Sequence, residues 1–264
     1  MKLKIGIFDS GIGGFTVLKS LLKKRRDIDI IYLADTARNP YGNKKSEEIK
    51  QIAIEISNWF KTMNIDVLLV ACNTTNACAL DILKNNLQIP CFDLINSVSE
   101  IVSENEVGVL ATTATVNSDF YKKILLAERK DIKVFQQDCP EFVNEIEKIP
   151  LDVQKINHLA DYYLVPLLKE NVKEIILGCT HYPLIIGILR KKISEGVNLI
   201  DPASAMVQKF NKKFPIDINC EQNETLFSNV EFFATGSTNE FSIKVTNWLE
   251  INKKIRLVNL RTDT

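Results

Sequence analysis

Short apolar runs alternate with segments of helical periodicity along almost the whole chain. An apolar run of four to eight residues is typical of a buried strand, and its alternation with helices predicts parallel sheets of the α/β class. The predicted strands are Lys4–Phe8, Ile30–Leu33, Val67–Val70, Cys91–Leu94, Val107–Leu110, Lys133–Gln136, Glu174–Leu177, Val197–Ile200 and Val230–Ala234.

The clearest helix is predicted from Lys45 to Met63, where apolar residues recur every three or four positions and form one face. Further helices are predicted after Gly14, Thr75, Asn117, Val153, Pro183, Pro202 and Asn239. The basic run from Lys23 to Arg26 ends the helix after Gly14. We expect it to be a solvated helix end, because cations there are favoured by the helix dipole.

The two parts of the chain resemble each other. Three pairs of segments match in the same order and at a nearly constant offset, which predicts two halves of similar topology. The alternative is that any two strand–helix units look alike. The matching pairs are Ile5–Gly11 with Val107–Thr113, Asp29–Asp35 loosely with Lys133–Asp138, and Asp66–Thr75 with Lys173–Tyr182.

Composition limits the possible classes of protein. A chain of 264 residues is long enough for two modest domains or one large one, and 45% apolar and 25% charged residues are typical of a soluble globular protein. Lys plus Arg equals Asp plus Glu, at 33 each, so the net charge favours neither nucleic acid nor an anionic membrane as a partner. Because no long linker occurs, we expect domain boundaries in tight crossings near residues 95–97 and 201–203.

The segment from Met1 to Asp9 reaches an acidic residue after too short an apolar run for a secretion signal, and no stretch approaches the roughly 18 apolar residues of a membrane span. We therefore expect a cytoplasmic protein with reduced thiols. No C-x-x-C pair occurs, and His158 and His181 lack zinc-site spacing, so no metal is expected. The six cysteines are Cys72, Cys78, Cys91, Cys139, Cys179 and Cys220.

Cys72 and Cys179 are the candidate reactive groups. Each follows a buried strand and precedes a helix, and ligands of α/β sheets bind at the carboxyl ends of strands. A helix N-terminus favours a thiolate. Both cysteines also have polar neighbours, in Asn-Thr-Thr and Thr-His, that a buried structural thiol does not need. We expect the other four cysteines to be small buried apolar residues.

Two thiols facing each other across a cleft suit few reactions. One is disulfide redox chemistry. Another is removal of a proton from one face of a carbon with delivery to the other, which requires two opposed acid/base groups. Placement of Cys72 and Cys179 at matching positions of two related halves would supply that opposition.

Several loops are expected at the same edge of the sheets. Asp9-Ser10-Gly11-Ile12-Gly13-Gly14 is too compact for a dinucleotide fingerprint, and we interpret it as a turn whose N–H groups and hydroxyl face a small carboxylate ligand. Asp9 could take an ammonium group or steer a thiol proton; helix capping is the alternative for this loop. The turn at residues 35–42, containing Pro-Tyr-Gly, could line the same cleft.

Each of three further side chains has two possible roles. His181 could exchange a proton with Cys179, or be a hydrogen-bonded bystander. Thr112 and Thr115 could bind a carboxylate, and plain helix capping explains them almost equally well.

The motifs together resemble the glutamate racemase family, within the cofactor-independent aspartate/glutamate racemase superfamily. They occur in the family's order and span essentially the whole chain. The segments that carry the resemblance are Phe8–Gly14, Ala34–Gly42, Val70–Asn76, Leu177–Leu184 and Asp201-Pro202.

The resemblance implies that Cys72 and Cys179 are the two catalytic acid/bases, one for each enantiomer of glutamate, without any cofactor. It makes Asp9 and His181 auxiliary residues beside the thiols. Glu147, after Cys139-Pro-Glu-Phe-Val, matches a further auxiliary glutamate, and Glu145 is a nearby competitor. The residues implied in binding the substrate are Ser10, Tyr41, Gly42, Asn73, Thr74 and Thr180.

The resemblance also implies two pseudo-twofold-related α/β domains with the active site in the cleft between them. We expect the first domain at residues 1–95 plus 204–264 and the second at 96–203. A homodimer that supplies D-glutamate for peptidoglycan synthesis is implied. Three alternatives stay open: an aspartate racemase on the same scaffold, a thiol redox protein, and an amino-acid-binding protein without catalysis.

Overall fold

The computed structural model describes residues 2–216 and 226–260. Their strands form two sheets with every pairing parallel: six strands in the order β10-β9-β2-β1-β3-β4, and four in the order β6-β5-β7-β8. The strands are β1 (Leu3–Asp9), β2 (Ile28–Ala34), β3 (Val67–Val70), β4 (Cys91–Asp93), β5 (Glu106–Ala111), β6 (Lys133–Asp138), β7 (Glu174–Gly178), β8 (Asn198–Ile200), β9 (Val230–Ala234) and β10 (Ile255–Leu257).

Helices connect the strands. They are α1 (Phe15–Leu22), α2 (Ser46–Thr62), α3 (Asn73–Leu87), α4 (Leu94–Val98), α5 (Thr113–Asn117), α6 (Phe120–Glu128), α7 (Phe142–Ile146), α8 (Val153–Lys169), the 3-10 helix η1 (Tyr182–Ile185), α9 (Ile186–Arg190), α10 (Pro202–Lys213) and α11 (Thr238–Leu249).

The predicted internal repeat is visible in the strand order. The first sheet contains β2-β1-β3-β4, and the second has β6-β5-β7-β8, which is the same order of second, first, third and fourth strand. Each strand of the four-stranded sheet therefore has a counterpart in the six-stranded sheet, and the loops after β3 and β7 are equivalent. The predicted α/β class with two related parallel sheets is confirmed.

Helices cover both faces of each sheet, because successive strand residues point to opposite faces. In β1, Ile5 and Ile7 pack with α1, α10 and α11 on one face, whereas Phe8 packs with α2 and α3 on the other. The second sheet is buried in the same way between α7, α8 and α9 and the helices α4 and α6. Burial on both faces explains why these strands are continuous apolar runs rather than alternating ones.

All nine predicted strands are present within two residues of their predicted bounds. The prediction missed β10 and the short helices α4, α5 and α7. It also started α3 too late, after Thr75. The helix begins at Asn73, so that Cys72 is its N-cap residue.

The expectation of a fully solvated basic helix end is wrong at Arg25. Its side chain is buried, and its guanidinium donates two hydrogen bonds to Asp27, each 2.7 Å long. It also donates to the carbonyl oxygen of Phe214 at 2.6 Å, so this arginine connects the end of α1 with the end of α10 by a hydrogen bond. A buried guanidinium is tolerated because these partners satisfy its donors.

Within residues 2–216 and 226–260, none of the helices combines the length and the apolar character needed to cross a bilayer. The predicted domain boundaries, at 95/96 and 203/204, stay a prediction.

Candidate active site

The loops that follow the strands of both sheets meet around one small cavity. Cys72 reaches it from the loop after β3 and Cys179 from the equivalent loop after β7. The two thiols therefore approach one space from matching positions of the two halves. The cavity is lined by Ser10, Pro40, Tyr41, Gly42, Cys72, Asn73, Thr74, Thr112, Val143, Cys179, Thr180 and His181.

Cys72 is held at the start of α3 in an extended conformation (φ −96°, ψ 111°). The side chain of Asn76 fixes this helix start, because its Nδ2 donates to the carbonyl oxygen of Val70 at 2.9 Å and its Oδ1 accepts from the N–H of Leu94 at 2.7 Å. The chain thus turns sharply from β3 into the helix and presents the sulfur to the cavity.

The pKa of the Cys72 thiol is raised to about 12, first by burial and then by the nearby carboxylate of Asp9, while the hydroxyl and N–H of Thr75 lower it. The helix N-terminus favours a thiolate, as expected from the sequence, but loss of hydration and a like charge outweigh its effect in the free protein.

Cys179 lies in a different environment. Its sulfur is 3.8 Å from Nδ1 of His181, and Nε2 of that histidine is 2.7 Å from Oε1 of Glu147. Burial alone would lower the pKa of His181, but the hydrogen bonds with Cys179 and Glu147 raise it well above its usual value. His181 thus contacts both the sulfur of Cys179 and the carboxylate of Glu147, and its role in proton exchange stays a prediction.

Glu147 is the carboxylate beside His181. Burial acts to raise its pKa, but the interactions with His181 and Lys244 prevail and lower it to about 2. The competing residue, Glu145, instead accepts a hydrogen bond from Lys148 at 2.7 Å. Geometry thus distinguishes the two glutamates where the sequence did not.

The buried carboxylate of Asp9 lies at the end of β1. It accepts hydrogen bonds from the N–H of Gly11 at 2.9 Å and from the hydroxyl of Thr180 at 3.2 Å. Burial raises its pKa, and the nearby His181 partly opposes this. Asp9 therefore contacts the loop that carries Cys179 and also influences Cys72, as an auxiliary residue between the two thiols would.

The glycines of this first loop are required for close approach rather than for an unusual backbone conformation. No glycine in the described part of the chain has a positive φ. A Cβ on Gly11 would lie 2.2 Å from Oε1 of Glu147, and one on Gly13 would lie 2.4 Å from Oγ1 of Thr180. These positions have no room for a side chain, because the other half of the molecule packs directly against the loop.

The turn after β2 completes the first half's wall of the cavity. The Tyr41 hydroxyl donates a short hydrogen bond to Asp35, which also accepts from Nε of Arg38 at 2.6 Å. The next residue, Gly42, accepts a hydrogen bond from the N–H of Ala114 at 2.8 Å. This turn therefore joins the two halves at the rim of the cavity.

Threonine hydroxyls form a chain across the same boundary. Oγ1 of Thr74 lies 3.0 Å from Oγ1 of Thr112, which lies 2.9 Å from Oγ1 of Thr115. Thr112 also caps α5 by accepting from the N–H of Thr115. Thr112 thus both caps the helix and lines the cavity, so the two interpretations are compatible for this residue.

Most of the predicted site residues line the cavity. The exceptions are Asp9, Thr115 and Glu147, which contact the lining residues Thr180, Thr112 and His181, respectively.

The lining residue Asn73 has one unpartnered polar atom. Its Oδ1 accepts from the Tyr121 hydroxyl at 2.7 Å, whereas its buried Nδ2 has no partner in the described part of the chain. Such a donor is available to a ligand carboxylate.

Sequence reasoning missed three residues of this region. Val143 lines the cavity, and Asn39 and Lys244 contact Glu147. Pro40 lines the cavity as part of the turn at residues 35–42, and Asn39 lies in the same turn. Lys244 carried no signal, since a lysine on an amphipathic helix is normally solvated.

The remaining cysteines differ from one another. Cys139 is fully buried, as predicted, whereas Cys78 and Cys91 are partly exposed. Cys220 lies outside the described residues. Within the ranges that the structure describes, no group of three or more His, Cys, Asp or Glu side chains is arranged to hold a metal ion.

Comparison with known proteins places this site in a family. The family model for Asp/Glu/Hydantoin racemase matches residues 16–210. A glutamate racemase of Prochlorococcus marinus (strain NATL1A) is 48% identical over 262 residues, which cover 98% of each chain.

Solved structures agree with this assignment. Glutamate racemase isoform RacE1 of Bacillus anthracis superposes with a TM-score of 0.90 at 30% identity, covering 98% of this chain and 99% of that one. The Francisella tularensis enzyme, solved in complex with D-glutamate, superposes with a TM-score of 0.88 at 31% identity, covering 98% of both chains. This chain is therefore a racemase, and it belongs to the glutamate racemases of the Asp/Glu/Hydantoin racemase family.

Proposed function

We propose that this protein interconverts L-glutamate and D-glutamate by a two-base reaction in which Cys72 and Cys179 are the acid/base groups. The observation that carries the proposal is that both thiols line one small cavity from equivalent loops of the two halves. The reaction requires no other group to carry the α-proton, and we propose that no cofactor takes part.

In each direction one sulfur, as thiolate, takes the α-proton, and the other thiol donates a proton to the opposite face of the carbon. The two sulfurs exchange protonation states in each turnover. Turnover of the opposite enantiomer restores the initial protonation state of each sulfur. Because its pKa is about 12, Cys72 is protonated in the free protein near neutral pH and suits the donor role. His181, whose raised pKa favours the imidazolium, lies beside the sulfur of Cys179 and can stabilise the thiolate there.

The polar lining suits an amino acid with two carboxylates. We propose that Nδ2 of Asn73, the hydroxyls of Ser10, Thr74, Thr112 and Thr180, and the turn at Tyr41 and Gly42 bind the carboxylates and the ammonium group. Three further residues do not line the cavity and act through residues that do: Asp9, Glu147 and Thr115. Asp9 orders Thr180, Thr115 supports Thr112, and Glu147 holds His181.

The first test is incubation of the metal-free protein with L-glutamate in D₂O, with L-aspartate as a parallel substrate. Loss of optical rotation together with deuterium at the α-carbon is the expected result for glutamate, and the faster substrate decides between the two amino acids. A pocket discriminates one methylene by only about 1–3 kcal/mol, so both rates must be measured.

Two variants test the assignment of the thiols. Cys72→Ser and Cys179→Ser should each lower racemisation by about 10³-fold or more, because a serine hydroxyl is a far weaker acid than a thiol. Cys91→Ser is the matched control and should retain activity. Racemisation near the wild-type rate in both serine variants would contradict the two-base mechanism.

The alternatives predict other outcomes. A thiol redox protein would form a reversible Cys72–Cys179 disulfide that controls its activity. A binding protein would bind glutamate without exchange of the α-hydrogen. Neither needs the equivalent placement of the two thiols.

We also propose the cellular context that the family implies: a cytoplasmic homodimer that supplies D-glutamate for peptidoglycan synthesis, without a nucleic-acid or membrane partner. The domains proposed are residues 1–95 plus 204–264 and residues 96–203, which separates β5–β8 from the other strands. Light scattering of the purified protein tests the dimer, and D-glutamate auxotrophy on depletion tests the cellular role.

A further inference from the structure

The carboxylate of Glu147 joins the two halves of the molecule. It follows α7 in the half that carries the four-stranded sheet, and its oxygens contact three residues of the other half. Oε1 accepts from Nδ2 of Asn39 at 2.8 Å and from the N–H of Ile12 at 3.3 Å, and Oε2 accepts from Nζ of Lys244 at 2.5 Å.

The two oxygens have different partners. Oε1 also lies 2.7 Å from Nε2 of His181, whereas Oε2 is bound by the ammonium group of Lys244. A charge-assisted hydrogen bond on one oxygen fixes the rotation of the planar carboxylate, and so directs the other oxygen at the histidine. Lys244 lies on α11, near the end of the chain, and its side chain is 23% exposed.

We propose that Lys244 is a positioning residue for the Cys179 side of the site: it holds Glu147 so that Oε1 faces His181, which contacts the Cys179 sulfur. This inference rests on the proposed two-thiol reaction. It also predicts an asymmetry, because the pKa of Cys72 responds to burial, Asp9 and Thr75 instead, whereas Lys244 is bound to Glu147.

The charges around Glu147 support this role. The charged and titratable groups that face it are His181 before η1, Lys244 on α11, Asp9 at the end of β1 and Tyr32 on β2. Lys244 and His181 together keep the pKa of Glu147 at about 2 despite burial. Removal of Lys244 leaves one cation, so the pKa of Glu147 must rise.

The test separates the two thiols by using a reaction that needs only one base. In Cys72→Ala the remaining Cys179 thiolate takes the α-proton of 3-chloroglutamate, the Cα–Cβ double bond forms and chloride leaves with the C–Cl electron pair. The enamine hydrolyses to 2-oxoglutarate and ammonia, which are measured. Cys179→Ala gives the same reaction through Cys72, and both enantiomers of the analogue are supplied.

Lys244→Met in the Cys72→Ala background should slow elimination by about tenfold, and in the Cys179→Ala background by less than about twofold. Lys244→Arg, which keeps the charge, should restore most of the lost rate. The acid limb of the pH profile of the Cys179 reaction should move to higher pH in Lys244→Met, because the pKa of Glu147 rises.

The matched control is Lys192→Met. Lys192 is 24% exposed and forms a 2.8 Å ion pair with Asp161, so it resembles Lys244 in exposure and pairing, but it lies outside the site. It should leave both elimination rates unchanged.

Three results overturn the inference. Equal losses in both backgrounds, with a lower Tm and no change in the pH profile, would make Lys244 a purely structural contact, and no loss in either would remove its role. Elimination by neither single-thiol variant, before Lys244 is changed, contradicts the two-thiol reaction itself and the inference with it.

Discussion

The two candidate thiols show how residues of one type acquire different chemistry from their neighbours. Cys72 is buried beside the Asp9 carboxylate, and its pKa is raised to about 12. Cys179 contacts His181, whose proton is held by Glu147. Equivalent backbone positions thus present a thiol beside a carboxylate on one side and a thiol beside an imidazole on the other.

Asp9→Asn should therefore lower the pKa of Cys72, by about 1, because the like charge that disfavours the thiolate is removed. The pH dependence of alkylation at Cys72 by iodoacetamide, followed by mass spectrometry of its peptide, measures this change. Asp161→Asn is a distant control. An unchanged or higher pKa in Asp9→Asn would mean that burial alone sets the value.

At the scale of elements, the loop after β1 is shaped by the opposite half of the molecule. Gly13 lies where a Cβ would be 2.4 Å from the Thr180 hydroxyl and 2.9 Å from the backbone nitrogen of His181. The backbone of the Cys179 loop cannot move aside as a flexible side chain can. The close packing of the two halves therefore requires glycine in this loop.

Gly13→Ala should lower kcat/KM by about a hundredfold while the protein remains folded, because the Cys179 loop is displaced by a fraction of an ångström or more. Gly187→Ala is the matched control, since nothing lies within 4 Å of a Cβ at that position in α9. It should keep full activity and gain about 0.5–1 kcal/mol of stability. Wild-type kinetics in Gly13→Ala would refute the close-packing interpretation.

At the scale of the whole molecule, the ion pair between Glu147 and His181 links stability to pH. The pKa of Glu147 is lowered from 4.5 to about 2, so its contribution is present above about pH 4.5 and is lost as the pH falls through about 2. The pKa of His181 is raised from 6.5, so its contribution is complete below pH 6.5 and is lost as the pH rises through the raised value. Both contributions are complete between pH 4.5 and 6.5.

Glu147→Gln should consequently lower the Tm most between pH 4.5 and 6.5, and the difference from the wild type should shrink towards pH 2. The change in the pKa of Glu147 corresponds to about 3 kcal/mol. Calorimetry across this pH range measures it. Glu231→Gln is the control, because the pair of Glu231 with Arg256 is about half exposed and contributes little. A Tm difference that does not vary with pH would exclude the linkage.

Local patterns were sufficient to predict most of the elements and the two thiols. Buried parallel strands are continuous apolar runs, so β1 to β9 were visible in the sequence, and the repeated run ending at Cys72 and at Cys179 predicted their equivalence. The edge strand β10 has three residues around the polar Arg256 and left no such pattern. Short helices such as α7 also lack the length for a periodicity.

The sequence by itself determined the α/β class, the repeat and the residue types at the ends of the strands, because each depends on the order of neighbouring residues. Only the tertiary structure decided that Glu147 rather than Glu145 contacts His181, that Lys244 contacts Glu147, and that burial raises the pKa of Cys72. These properties depend on distances between the two halves and on the exclusion of water, which no local pattern encodes.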